Sequence, residues 1–351
     1  MSGNSVILAL DAMGGDRAPE IVVQGAAIAA QRMPQIEYLL YGDEGMLTPL
    51  LARQRRLADR VRLHHTAEKV SDDAKPSIAL RAGRNTSMRL AIDAVADKQA
   101  DCVVSAGNTG ALMAMAKFSL KTLPGIDRPA LASFPFPTRR GESVMLDLGA
   151  NIECDAENLV QFALMGEAFA RTVLNRMQPT VGLLNVGSEE LKGNDSVRAA
   201  AARLRAPESP INFYGFVEGD DIANGTVDVI VTDGFTGNVA LKTAEGTARL
   251  VTEFMRASFQ HSLAARLGYI FAAPALAKLR ARLDPRRYNG ATFLGLNGIA
   301  VKSHGAADGL SFANAIGVAV DMKLNGFLDQ IRGGLDRLKS VAPVPPQSAA
   351  F

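Results

Sequence analysis

Three glycine-rich junctions in this chain carry residues suited to holding a phosphate group. In the first, the apolar run Asp101-Cys-Val-Val-Ser105 breaks into Ala106-Gly-Asn-Thr-Gly110 and resumes as Ala/Leu/Met text of high helix propensity. A strand feeding a helix through such a turn leaves several backbone N–H groups unpaired and pointing one way, the arrangement an anion needs. Ser105, Gly107, Asn108, Thr109 and Gly110 are therefore candidate phosphate contacts. The run Asn185-Val-Gly-Ser-Glu-Glu-Leu-Lys-Gly-Asn194 repeats the pattern with Gly187, Ser188, Gly193 and Asn194, and adds Lys192. A lysine ammonium there is a compact charge for a phosphoryl group or a developing oxyanion, against the plainer reading of a solvated turn. Thr232-Asp-Gly-Phe-Thr-Gly-Asn238 is the third junction, with Asp233 as a base or orienting group beside Gly237 and Asn238.

Three shorter runs join them. Asp11-Ala-Met-Gly-Gly-Asp16 closes the first apolar run. Asp11 and Asp16 suit positioning a substrate or binding Mg²⁺, and Gly14 and Gly15 allow close backbone approach; a plain tight turn is the structural alternative. Lys75-Pro-Ser77 opens a helix, with Ser77 read as its N-cap and Lys75 as a charge facing the ligand. Lys302-Ser-His304-Gly305 follows the strand-like Gly298–Val301 and places His304 at a strand end, as acid, base or phosphate donor or as a structural histidine.

The elements that must carry these loops alternate along the chain. Val6–Leu10 leads to a helix over Pro19–Met33, Ile36–Tyr41 to one after Asp43, and Val61–His65 to a long helix capped by Ser77. Val103–Ser105, Leu131–Phe134 and Val144–Asp147 come next, and Thr180–Leu184, Ile211–Phe216 and Val227–Thr232 continue the series, each of these three with helical text after it. Such alternation predicts an α/β fold of three layers, α/β/α, with an open, mostly parallel sheet whose ligands bind beyond the carboxyl ends of its strands. The pattern breaks from about Ala248 to Arg287, helical text without a strand, which predicts a projecting helical hairpin. No linker divides the chain, so residues 1–340 are expected to form one domain and the Pro-rich tail 341–351 to be disordered.

Composition closes off several classes of function. The chain has 351 residues, 48% of them hydrophobic, a net charge of +2 and no tryptophan. It can bury a large core and shows no basic field for nucleic acid. Cys102 and Cys154 stand far apart as reduced thiols, and no cluster has zinc spacing, so no metal is expected. No Gly-x-Gly-x-x-Gly, Walker-type or Gly-x-Ser-x-Gly run occurs, which weakens dinucleotide binding, nucleotide hydrolysis and serine-hydrolase chemistry. A basic leader and a membrane-length apolar stretch are both missing, so a cytoplasmic protein is expected. Charge is unbalanced over Phe254–Arg287, where Arg256, Arg266, Lys278, Arg280, Arg282, Arg286 and Arg287 face Asp284 alone. Between those flanks Leu267, Ile270, Phe271 and Leu276 offer an apolar tip suited to an anionic membrane surface; a hairpin buried in a dimer interface accounts for it equally.

Taken in order, DAMGGD (Asp11–Asp16), KPS (Lys75–Ser77), SAGNTGALM (Ser105–Met113), LDLGAN (Leu146–Asn151), NVGSEELKGN (Asn185–Asn194), the run from Val227 through TDGFTGN to Gly246 and KSHG (Lys302–Gly305) resemble the PlsX family of bacterial phosphate acyltransferases. The resemblance runs to about Asn325 and adds Asn151 to the candidate site. It implies a homodimer with a fold like isocitrate and isopropylmalate dehydrogenases and phosphate acetyltransferase. It also implies transfer of a long-chain acyl group from acyl carrier protein to inorganic phosphate, with no cofactor. The acyl phosphate would feed phospholipid synthesis through a membrane glycerol-3-phosphate acyltransferase, which suits a peripherally membrane-associated enzyme. Phosphate is nucleophilic and a thiolate leaves readily, so alignment and oxyanion stabilisation by these loops, Lys192 and His304 would suffice. Two alternatives stand beside it: a nicotinamide-dependent hydroxyacid dehydrogenase on the same fold, and a membrane-surface scaffold acting through residues 254–287.

Overall fold

The computed structural model describes residues 5–282 and 290–339. Its strands are β1 (Val6–Asp11), β2 (Ile36–Gly42), β3 (Val61–His65), β4 (Cys102–Ser105), β5 (Ala130–Ser133), β6 (Phe136–Pro137), β7 (Glu142–Leu146), β8 (Val181–Leu184), β9 (Phe213–Val217), β10 (Val229–Val231), β11 (Gly290–Leu294) and β12 (Ile299–Ser303). The helices are α1 (Glu20–Arg32), α2 (Glu44–Leu51), α3 (Pro76–Ala82), α4 (Ser87–Ala96), α5 (Thr109–Leu120), α6 (Ala156–Val173), α7 (Asp195–Leu204), α8 (Gly219–Asn224), α9 (Gly234–Gln260), α10 (Leu263–Arg282), α11 (Gly309–Leu324) and α12 (Phe327–Lys339).

All strands join one sheet in the order β3-β2-β1-β4-β12-β11-β5-β7-β10-β8-β9, with β6 paired on β7. The first five run parallel, as do β7, β10, β8 and β9. Between these blocks the pairs β12–β11, β11–β5 and β5–β7 are each antiparallel, so the blocks point in opposite directions. Alternation across the pleat buries both faces. Leu8, Leu10 and Val104 join residues of α1, α6 and α11 in one core, while Ala9, Val103 and Ala300 meet α4 and α5 on the other side. A smaller core of Met145, Leu148, Val217, Val227 and Ile230 lies in the second block.

The expected three-layer architecture is present, with local differences. The helix expected from Ser77 is two helices: α3 ends at Gly83, and Thr86 caps α4 by accepting from Arg89 N. Ser77 is not a cap, because Lys75 takes that position without a side-chain bond and Pro76 fills the first helical place. No helix follows β5; Gly141, at φ +151°, turns the chain from β6 into β7. The hairpin starts at Gly234 rather than Ala248, as α9 and α10, and beyond Gly237 no residue of α9 is buried. Asp284, Arg286, Arg287 and the tail 341–351 lie outside the described residues, as do the side chains of Arg280 and Arg282. No described helix is long and apolar enough to cross a membrane.

Candidate functional site

Strands β1, β4 and β12 are neighbours, so loops 11–16, 105–110 and 303–305 leave the same edge of the sheet. Asp11 is buried beneath them. Its Oδ1 accepts from Ser87 Oγ at 2.6 Å and Met13 N at 3.3 Å, and its Oδ2 accepts from Ser105 Oγ at 2.6 Å. Burial pushes its pKa above the ordinary carboxylate value, although the hydrogen bonds pull the other way. Both oxygens accept from protein donors, so Asp11 anchors Ser105 and Ser87 beneath the loops. Among the described residues no three His, Cys, Asp or Glu side chains gather as a metal site.

The loops touch closely. A Cβ at Gly14 would lie 2.4 Å from Asp11 Oδ2 and 2.7 Å from Gly107 N, and Gly15 has φ +105°. Asp16 N donates to Gly305 O at 3.0 Å, tying the first loop to the third. Asn108 caps α5 by accepting from Ala111 N at 2.9 Å, while its Nδ2 donates to Asp72 O at 2.7 Å and Ala74 O at 3.2 Å. That bond brings the segment carrying exposed Lys75 against the glycine loop. Gly107 N is spent on Ser105 Oγ at 3.0 Å, but among the described residues no acceptor takes the N–H of Asn108, Thr109 or Gly110. The start of α5 therefore offers a row of free donors.

Lys302 is buried at the end of β12, its Nζ donating to Ala106 O at 3.1 Å and to Ser303 O. Burial lowers its pKa to about 8, with the charges of Asp11, Asp16 and Asp72 opposing. His304 beside it is partly exposed, and its Nδ1 accepts from Ala306 N at 3.1 Å, so Nε2 carries the proton of the neutral ring. Partial burial, then the charges of Lys302 and Lys242, lower its pKa and so favour the neutral ring.

The second block gathers its own loops at the ends of β7, β10 and β8. Buried Asp147 accepts at Oδ1 from Leu131 N (2.9 Å) and Ala150 N (3.1 Å), and at Oδ2 from Asn151 N (2.7 Å) and Asn151 Nδ2 (2.9 Å). Burial raises its pKa too. Gly237 packs so tightly on this loop that a Cβ would fall 2.0 Å from Asp147 O, and Asn238 Nδ2 donates to Leu148 O at 3.0 Å. Asp233 caps α9, accepting from Thr236 N and Thr236 Oγ1 at 2.8 Å each. Loop 185–194 is fastened from within: Asn185 Nδ2 donates to Lys192 O at 3.1 Å, and Gly193, at φ +91°, leaves room for Asn185 Oδ1. Asn194 caps α7 through Val197 N at 2.9 Å. Ser188 and the Lys192 side chain are exposed, and Gly187 is buried under them.

The candidate residues thus form two groups, one per block. Helix α9 connects them: it starts at Gly234, behind its cap Asp233, and about two to three turns later Lys242 and Glu245 come close enough to bias the charge of His304. Lys302, Ser87 and Asp147 belong to these groups but were not among the expected site residues; a lysine continuing an apolar strand run was the signal for the first. The hairpin residues stand apart, with Leu267, Ile270 and Phe271 exposed and Leu276 half-buried. A surface cleft of about 460 Å³ lies elsewhere, lined by Leu80, Arg81, Arg84, Arg89, Asp93 and Phe118. Arg89 is paired with Asp93 at 2.9 Å and lies over the Phe118 ring at 5.1 Å.

The family model for the fatty acid synthesis protein matches residues 6–330. The phosphate acyltransferase of Rhodospirillum centenum is 65% identical over 344 residues, 97% of either chain, and other bacterial relatives at 54–58% identity carry the same name. A phosphotransacetylase from Streptococcus pyogenes superposes with a TM-score of 0.62 at 17% identity, over 92% of this chain and 95% of its own. The 4-hydroxythreonine-4-phosphate dehydrogenase from Klebsiella pneumoniae gives 0.51 at 15%, over 92% and 99%. At such identities these two bear on the fold alone.

Proposed function

This chain belongs to the fatty acid synthesis protein family, and on that premise we propose that it transfers an acyl group from the thioester of an acyl carrier protein to inorganic phosphate. The observation that carries the reading is the 65% identity along 97% of the chain to a protein named phosphate acyltransferase. The enzyme is an acyltransferase of phospholipid synthesis. A phosphate oxygen attacks the thioester carbonyl, the C–O bond forms as the C–S bond breaks, and the thiolate leaves with the carrier. Phosphate rests on the free N–H groups opening α5 and on the Nε2–H of neutral His304, which acts as a donor because its Nδ1 is occupied. Lys192 meets the oxyanion. Asp233 acts through α9, whose first turn it holds. The dehydrogenase alternative has only a shared fold behind it, and a scaffold would leave the loops unused.

The carrier is an acidic protein on this reading, and the arginine cleft supports its docking. Neither Arg81 nor Arg84 forms an ion pair among the described residues. The decisive experiment is turnover of acyl carrier protein with phosphate at increasing salt. Apparent affinity for the carrier should fall as salt rises, and Arg81→Glu/Arg84→Glu should raise the carrier KM about tenfold while the phosphate KM holds. No acyl phosphate from this assay would overturn the proposed function; salt-insensitive kinetics would move docking elsewhere.

The exposed hairpin supports two finer elements of the reading, a homodimer and an anionic membrane surface where acyl phosphate passes to a membrane acyltransferase. Phe271 is 85% exposed and Ile270 64%. Ile270→Asp/Phe271→Asp should abolish binding to anionic vesicles and preserve turnover of soluble carrier. Monomers or an inactive enzyme in solution would make the hairpin a subunit interface instead.

A further inference from the structure

We propose that Lys302 is a positioning residue for phosphate: its buried ammonium ties loop 105–110 to loop 303–305 and supplies the fixed positive charge beneath both. The inference rests on the reading of those loops as the phosphate site.

Lysine is rarely buried unless paired. Lys302 is 7% exposed, yet it forms no ion pair among the described residues. Two of its three N–H donors go to the carbonyls of Ala106 and Ser303, and the third has no protein acceptor among the described residues. Those two carbonyls belong to different loops. Because a trans peptide sets its C=O and the next N–H on opposite sides, drawing Ser303 O inward turns the His304 N–H outward. The same pull on Ala106 O fixes the peptide through which Gly107 reaches Ser105 Oγ at 3.0 Å.

Electrostatics require such a cation. An incoming phosphate dianion would approach Asp11 and Asp16 from the β1 loop and Asp72 from the segment before α3, all of which face Lys302. Burial and the nearby lysines favour the neutral form of His304, which Lys242 and Glu245 from α9 bias with opposite signs. Lys302 is the charge placed under the loops themselves. Its pKa of about 8 gives the sign of the pH effect: below that value the ammonium attracts phosphate, and above it the neutral amine does not.

The test measures phosphate KM and calorimetric phosphate binding from about pH 8 to 9.5, a range that spans the Lys302 titration and in which inorganic phosphate is mainly the dianion. For wild type, phosphate KM should rise about tenfold across the range while the thioester KM changes little. Lys302→Arg, whose guanidinium keeps its proton, should give a flat profile. Lys302→Met should raise phosphate KM at least tenfold at the lower limit and remove the pH dependence. A flat wild-type profile, or a Lys302→Arg profile that follows wild type, overturns the assignment, and this pair decides even if Lys302→Met does not fold. Wild-type protein that binds no phosphate at all overturns the functional reading instead.

Discussion

Lys192→Ala enzyme is expected to turn over more than tenfold more slowly than wild type at saturating substrates, with an unchanged melting temperature. The loop around Lys192 is held by main-chain and asparagine bonds: Lys192 N donates to Glu189 O at 3.0 Å, and its carbonyl accepts from Asn185. The side chain is exposed, so truncating it removes none of those bonds and leaves the fold intact. What it removes is the charge that the proposed mechanism assigns to the oxyanion. Loss of one preorganised oxyanion donor costs about 10²–10³ in kcat, and exposure to water reduces that figure for a surface lysine. A contact made in the transition state alone lowers kcat and kcat/KM together. Steady-state kinetics near wild type would remove Lys192 from the chemistry.

Gly14→Ala should be as damaging through geometry alone. The added methyl would sit 2.4 Å from Asp11 Oδ2 and 2.7 Å from Gly107 N, both held on a rigid frame. The first and second loops must part by something near 1 Å, and misplacement on that scale costs about 10²-fold in rate. Phosphate is expected to raise the melting temperature of wild type through preferential binding of the folded state, and that rise should shrink in parallel. Gly219→Ala is the control, since nothing lies within 4 Å of a Cβ there. If Gly14→Ala keeps the wild-type phosphate response, these two loops do not share a ligand.

Much of this was legible in the residues because local chemistry and position agreed. Asn108 and Asn194 sit where a helix must begin after glycine, and both cap the helices that follow. Gly193, in a Lys-Gly-Asn turn, takes the positive φ that a side chain would resist. Other features depended on partners distant in sequence. Nothing near Asp11 announces that Ser87 and Ser105 will claim its oxygens. Ser77 looked like a cap, but Pro76 moved the start of the helix upstream. The opposite directions of the two blocks follow from β11 and β5, short strands with no alternation strong enough to fix their orientation. Their reversal separates the loops into two groups that a single parallel sheet would have placed along one edge.

Strand β12 has a temporal meaning as well. It lies between β4 and β11, pairing Ala300 with Val103 and Phe293, although almost 200 residues of chain separate it from β4. On the ribosome, β1, β2 and β4 emerge early and can pair, but the open side of β4 then waits for residues that are made near the end. At about 5–20 residues per second, that edge stays bare for roughly ten seconds or more. A bare apolar edge is a template for pairing with the wrong chain. The growing polypeptide therefore passes through a vulnerable interval set by topology, and long-range closure of this kind makes folding slow. Shielding by chaperones during synthesis should matter more for this protein than for a sheet built in sequence order.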